Sequence, residues 1–333
     1  MNYFLKDMGD NQIVDQLIDG FVAAYSHRII RIPGSRIIQK LKPDKDKVVI
    51  ISGGGSGHEP AHIGYVGDNM LDVAVMGNIF EPPTAAEVFQ AIQASYNGHG
   101  TLLIIKNFEK DVASFLEGER MAIETGYVVD HVIVNDDCSI ESATFEKRKK
   151  GVAGTIFIHK ILGTASAQGL SLSELVALGN QTIQATKTLG VAFSGTKPIG
   201  DKPSQYSLKP NEMYFGIGIH GEPGYRIEEM KSSERIALEL TNKLITQYER
   251  AELKSVAIIV NGLGSATLLE LSIFLNHVMQ LLDIADIAVE FKLLGNFMTS
   301  YNTNGLSLTF LNLFDAKILD LLQEDTNAFA WKH

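Results

Sequence analysis

Val48-Val49-Ile50-Ile51-Ser52-Gly53-Gly54-Gly55-Ser56-Gly57-His58-Glu59-Pro60 runs four β-branched apolar residues into a glycine-rich turn that ends on a histidine. So short and branched a run marks a buried strand rather than a helix. The three successive glycines that follow have no Cβ, so their amides can come close to a small polar ligand. Runs of the same kind, Val73-Ala74-Val75-Met76, Leu102-Leu103-Ile104-Ile105 and Val132-Ile133-Val134, alternate with helical stretches over 83–96 and 111–125. Strands interleaved with helices predict an α/β fold whose first part is a mainly parallel, twisted sheet covered by helices on both faces.

Each of these strands runs out into glycine or polar residues: Ser52-Gly53-Gly54-Gly55, Gly77-Asn78, Lys106-Asn107 and Asn135-Asp136-Asp137. Ligands of open α/β sheets sit beyond the carboxyl ends of the strands, so these segments are where a site is expected. Downstream, a Ser171-x-x-Glu174 capping box opens a helix with apolar positions Leu172, Leu175, Val176, Gly179 and Ile183. A strand, Gly190-Val191-Ala192-Phe193, and a breaker-rich segment over 195–203 follow. A chain of 333 residues fits about two domains of ~100–200 residues each. The composition shift divides it into 1–187, carrying the glycine-rich loop, and 188–333, a smaller mixed-sheet α/β domain. Strands are expected there at 213–219, 256–260 and 287–294, with helices over 233–248 and 267–282.

Hydrophobic residues make up 45% and charged residues 20% of the chain, the balance of a globular protein that folds without metal or disulfide. The net charge is −10, and the densest basic run, Lys147-Arg148-Lys149-Lys150, reads as a solvated segment rather than a nucleic-acid face. Direct nucleic-acid binding is therefore not expected. With the single cysteine Cys138, no intramolecular disulfide and no cysteine metal cage can form. The first residues, MNYFLKDMGDNQ, lack the basic start and apolar core of a signal peptide, and no uncharged stretch reaches the ~18 residues of a membrane span. A soluble, cytoplasmic protein without cofactor, metal or membrane partner is expected.

Two motifs carry chemistry. In the first, Gly-x-x-x-x-Gly-Lys-Ser/Thr is absent, and Gly53-x-Gly55-x-x-His58 puts histidine where a dinucleotide loop has its third glycine, which argues against nucleotide. His58 reads either as a structural histidine or as an acid–base and hydrogen-bonding group, and its glycine-rich setting favours the second. In the other, Tyr214-Phe215-Gly216-Ile217-Gly218-Ile219-His220-Gly221-Glu222-Pro223-Gly224 delivers a histidine to a tight turn. His220 reads either as a residue capping its own turn or as a nucleophile. A neutral imidazole nitrogen can add to a ketone carbon to give a hemiaminal.

Ser52–Pro60, Lys106-Asn107-Phe108 with Asp111, Gly151-Val152-Ala153-Gly154-Thr155 with His159-Lys160, Gly216–Gly224 and Gly305-Leu306-Ser307-Leu308-Thr309 together resemble the dihydroxyacetone-binding (DhaK) subunits of dihydroxyacetone kinases. The blocks follow family order over nearly the whole chain. The resemblance implies a homodimer in which His220 attaches dihydroxyacetone covalently. Gly55, Ser56, Gly57, His58, Lys106 and Asp111 would hold its hydroxyls. In a kinase, His58 and Asp111 would serve as acid and base, and a nucleotide-bearing partner subunit would supply the phosphoryl group.

Three positions depart from the kinase pattern. The glycine before the aspartate is Lys110, preceded by Glu109; the Phe-x-Ser-Pro segment is Phe80-Glu81-Pro82-Pro83; and the aspartate ahead of the Gly305 block is Asn302. No ligand-binding residue is lost. The pattern is similar to that of the coactivator branch of the family, which implies a dihydroxyacetone sensor that acts on a TetR-type (DhaS-like) transcriptional regulator of the kinase operon. The alternative is the phosphoryl-acceptor subunit itself.

Overall fold

The computed structural model describes residues 5, 8–139, 149–195, 208–219 and 224–332. Four parallel strands form the heart of the first sheet: β3 (Val49–Ser56), β4 (Val73–Ile79), β5 (Thr101–Lys106) and β6 (Val129–Val134). Two short strands, β1 (Ile29–Arg31) and β2 (Ile37–Lys40), extend it antiparallel beyond β4, giving the order β1-β2-β4-β3-β5-β6. Alternate residues of a strand point to opposite faces. Accordingly Val49, Ile51, Val73, Val75, Leu103 and Ile105 pack on α2 (Ala85–Ser95) and α3 (Glu109–Glu124). Ile50, Ala74, Met76, Leu102 and Ile104 pack on the other side, with α1 (Asp10–Ala24), α4 (Thr155–Ala167) and α5 (Leu172–Ala185).

The glycine-rich segment is not a loop throughout, because β3 continues through Gly53, Gly54 and Gly55 to Ser56. A Cβ on Gly53 would lie 2.2 Å from the Val75 carbonyl oxygen, so only glycine lets β3 and β4 stay this close. The expected strand over 213–219 is likewise shorter, and β8 (Glu212–Phe215) stops at Gly216, whose φ of 70° turns the chain out of the sheet. The capping box at Ser171 and Glu174 opens α5 as expected, with Leu175, Gly179 and Ile183 buried.

β7 (Thr186–Ala192), β8, β9 (Arg226–Glu229), β10 (Ser255–Gly262), β11 (Ala288–Gly295) and β12 (Gly305–Asn312) make a second, mixed sheet in the order β11-β10-β12-β7-β8-β9. Only β10 and β11 run parallel within it. Leu189, Val256, Ile258, Leu308 and Phe310 face α6 (Ser233–Ile245) and α7 (Leu268–Ile284) on one side. On the other, Ala257, Ile259, Phe291, Leu293 and Leu311 join the core that contains α4, α5 and α8 (Ala316–Gln323). The two sheets thus share a middle layer of helices. This explains why α4 is buried from Thr155 to Ser166, as befits a helix with neighbours all round. Trp331, near the end of the chain, stacks on Phe291 with ring centroids 5.6 Å apart.

Candidate functional site

The carboxyl ends of β3 and β5 and the first turn of α3 bring three of the singled-out segments together. Gly54 has φ 151°, and a Cβ there would lie 2.2 Å from Lys106 Nζ and 3.0 Å from Asp111 Oδ1. A bare stretch of backbone therefore lies against a buried ammonium and carboxylate. Lys106 Nζ is 3.4 Å from Asp111 Oδ1, and their side chains are 0% and 3% exposed. Burial pushes the Asp111 carboxyl up, opposed by the charge and hydrogen bond of Lys106.

The loop beyond β3 is pinned by its own side chains. Ser56 Oγ donates to the Gly77 carbonyl at 2.8 Å, and the Gly57 amide donates to both carboxylate oxygens of Glu59, at 3.0 and 3.1 Å. Burial raises the Glu59 carboxyl, while the Gly57 amide works against that rise. His58 is fully buried, and its Nδ1 lies 2.8 Å from the Thr299 carbonyl. A carbonyl only accepts, so Nδ1 carries the proton and in the neutral ring Nε2 carries the lone pair. Phe80, at φ 58°, sets its ring 5.2 Å from the His58 ring.

A segment of the second half clasps this loop. The Thr299 amide donates to the His58 carbonyl at 3.1 Å, the Tyr301 amide donates to the Gly57 carbonyl at 2.9 Å, and Thr299 Oγ1 donates to the Glu59 carbonyl at 2.9 Å. Sequence reasoning did not single out Thr299 or Tyr301 for this role, since contacts across more than two hundred residues leave no local pattern.

Asp136, at the strand end flagged beyond β6, is a positioning residue. It accepts from the Val152 amide at 2.7 Å, the Gly154 amide at 2.8 Å and Thr188 Oγ1 at 2.5 Å, joining the entrance of α4 to β7. Burial raises its carboxyl against the pull of these donors. His220 lies outside the described residues. Ile217 and Ile219 ahead of it are buried, and Ile219 belongs to the core of the middle layer.

The structure thus brings Gly55, Ser56, Gly57, His58, Lys106 and Asp111 to one end of the first sheet. Among the described residues, one group has metal-ligating character: Glu119, Asp130 and His131, whose ligand atoms lie within 4.8 Å of one another. It sits eight residues along α3 from Asp111, about 12 Å at 1.5 Å per residue, and His131 Nδ1 already pairs with Glu119 at 2.8 Å. Cys138 is buried, and burial pushes its thiol up to about 12, which suits a core residue rather than a nucleophile. Among the described residues no helix is long and apolar enough to cross a membrane.

An α/β protein with two six-stranded sheets and a cluster of buried polar groups at the carboxyl end of the first is what the fold and these residues define. The family model of the Dak1 domain matches residues 19–330, and the chain belongs to that family. It is 43% identical over 323 residues to the DhaKLM operon coactivator DhaQ of Lactococcus lactis, covering 96% of this chain and 98% of that one. It is 42% identical over 320 residues to the dihydroxyacetone-binding subunit DhaK of the PTS-dependent dihydroxyacetone kinase of the same species, covering 96% of each. The solved structure of a dihydroxyacetone kinase operon co-activator, DhaQ, superimposes with a TM-score of 0.91 at 42% identity, covering 95% of this chain and 97% of that one.

Proposed function

We propose that this chain binds dihydroxyacetone at the end of the first sheet and acts as a coactivator, passing the ligand's presence to a TetR-type transcriptional regulator of a dihydroxyacetone kinase operon. Lys106, Asp111, His58 and the backbone of Gly55–Gly57 are the groups that would meet its hydroxyls, offering donors and acceptors to a small polyol. His220 would make the covalent bond. One ring nitrogen attacks the ketone carbon, the carbonyl π pair moves to oxygen, and the proton lost from the other ring nitrogen ends on that oxygen. The ligand would lie where the unit 1–187 meets the unit 188–333, with two copies of the chain forming the working dimer.

The observation that carries the coactivator half is at the rim. Lys110, which stands where the kinase pattern has glycine, and Glu81, next to the Pro82 that replaces its serine, face each other with Lys110 Nζ 3.9 Å from Glu81 Oε1, their side chains 76% and 59% exposed. A charged pair therefore stands beside Asp111 where a phosphoryl-donating subunit would have to come close. The second reading, a phosphoryl-acceptor subunit, draws on the intact His58, Lys106 and Asp111 and on the 42% identity to DhaK.

Two measurements test this. Intact-mass analysis after incubation with dihydroxyacetone should show an adduct that His220→Ala removes, and an undiminished adduct in that variant would refute the histidine assignment. Mixed with a nucleotide-loaded kinase partner subunit and its phosphoryl donor, the chain should yield no dihydroxyacetone phosphate. Turnover equal to that of an authentic acceptor subunit would replace the coactivator reading with the kinase one.

A further inference from the structure

Phe80 follows directly on β4, and its φ of 58° puts a bulky side chain in the left-handed region of the backbone map. Glycine or asparagine would adopt that conformation at less cost, so phenylalanine is not there for the sake of the turn. Strain of this kind persists only where the surroundings over-determine it, and it gathers at functional sites. Here the surroundings press closely. The Phe80 amide donates to the Ser56 carbonyl at 2.9 Å, and the Glu81 amide closes the turn onto the Asn78 carbonyl at 3.1 Å. A Cβ on Gly55 would lie 2.9 Å from Phe80 Cα, and one on Gly77 would lie 2.0 Å from the Glu81 carbonyl oxygen. Both strands are therefore bare where this turn rests on them.

What the turn delivers is the ring. A Cβ on Gly57 would lie 2.9 Å from Phe80 Cε1, and the Phe80 and His58 ring centroids are 5.2 Å apart with their planes tilted by 46°. That separation falls within the range of about 4.5–7 Å at which aromatic rings attract one another. His58 is fully buried and Phe80 only partly so, which makes the phenyl ring one of the groups that part the imidazole from solvent. The bond from Nδ1 to the Thr299 carbonyl, at 2.8 Å, fixes where that nitrogen sits but leaves the plane of the imidazole loosely set. A phenyl ring against it sets the plane, and with it the direction of the Nε2 lone pair.

We propose that Phe80 is a positioning residue: its ring holds the His58 imidazole in the plane that aims Nε2 at a ligand hydroxyl, and the left-handed backbone is retained because it brings the ring there. This rests on the dihydroxyacetone reading above and deepens it. The action runs through His58 and requires no contact between Phe80 and the ligand.

The test separates the ring from the backbone. Phe80→Gly takes up the same turn without strain and removes the ring, whereas Phe80→Tyr retains it. Dihydroxyacetone should bind Phe80→Gly about three- to tenfold more weakly than the wild type, the cost of ordering a side chain that was held in advance, and Phe80→Tyr should bind nearly as the wild type does. In ¹⁵N spectra of the ligand-free proteins, the His58 ring, assigned by its absence from His58→Gln, should show one protonated and one bare nitrogen in the wild type and in Phe80→Tyr. In Phe80→Gly the two shifts should move toward each other, as the released ring leaves the Thr299 carbonyl part of the time and samples both tautomers. A contact that only filled space would leave those shifts alone. Unchanged affinity in a folded Phe80→Gly would overturn the proposal, and so would weaker binding with unchanged His58 shifts, since Phe80 would then act on the ligand itself. Should Phe80→Gly fail to fold, Phe80→Asn, which also tolerates the left-handed region, takes its place under the same criteria. A wild type that binds no dihydroxyacetone would refute the ligand reading instead, and the His58 shifts would still decide whether Phe80 holds the ring.

Discussion

Two buried lysine–aspartate pairs lie at opposite ends of the first sheet. At the amino ends of β3 and β4, Asp72 accepts directly from the Lys47 ammonium and from the Ile50 amide at 2.9 Å, with Lys40 Nζ 3.6 Å away. Lys47 also donates to the Val48 carbonyl at 3.2 Å. At the carboxyl end of β5, Lys106 meets Asp111 at 3.4 Å, with the bare backbone of Gly54 against both. The residue types are the same, and the surroundings make the difference. A buried ion pair ringed by further donors and acceptors is costly to break and closed to others, whereas a thinly held one keeps capacity for a ligand.

Breaking the first pair should have the largest effect. Asp72→Ala leaves a buried ammonium without its carboxylate and should destabilise the protein by about 3–5 kcal/mol, read by chemical denaturation. Ligand affinity in the fraction still folded should not change; a loss there would mean that the two ends are not independent. Lys106→Met should do the reverse. Loss of a charged hydrogen-bond donor should weaken dihydroxyacetone binding by about 1.5–3 kcal/mol, read by calorimetry, with a smaller loss of stability than Asp72→Ala produces, because burial already raises the Asp111 carboxyl and it can take up a proton once Lys106 is gone.

Another buried carboxylate at the carboxyl end sharpens the comparison. Burial raises Asp137 from 3.8 to about 6, opposed only in part by Ser139 and Lys150. Because its folded value lies above its unfolded one, its contribution to stability is fully present below about pH 3.9 and is lost as the pH rises through about 6. Asp137→Asn should therefore stabilise the protein by roughly 2–3 kcal/mol at pH 8 and by nothing below pH 4, checked by denaturation at both values. Equal effects at the two pH values would show that the carboxylate is not strained by its burial. The smallest effect is expected at the rim, where Lys110→Gly removes an exposed ion pair worth about 0–1 kcal/mol and should leave dihydroxyacetone affinity unchanged. Lost binding would place Lys110 inside the pocket.

Strands β3 to β6 were legible because each is a short branched run closed by glycine or a polar residue. The caps of α2, α5 and α7 follow one local rule, a Ser or Thr with Glu three residues on, and the structure shows the reciprocal bonds in all three. β1, β2 and β9 span three or four residues each, too few for a period to emerge. α4 presents no polar face because sheets lie on both sides of it, so its amphipathic signal is missing for a tertiary reason.

The sequence by itself determined the α/β class and placed the glycines, His58 and Lys106 at strand ends and Asp111 at the start of a helix, since propensity, hydrophobic period and turn chemistry act over a few residues. Only the tertiary structure decided that Thr299 and Tyr301 clasp the loop, that Lys106 is thinly paired while Lys47 is not, and that the Phe80 ring meets His58. Those outcomes depend on which distant backbone groups reach a side chain once the core has closed, and spacing along the chain carries no record of that.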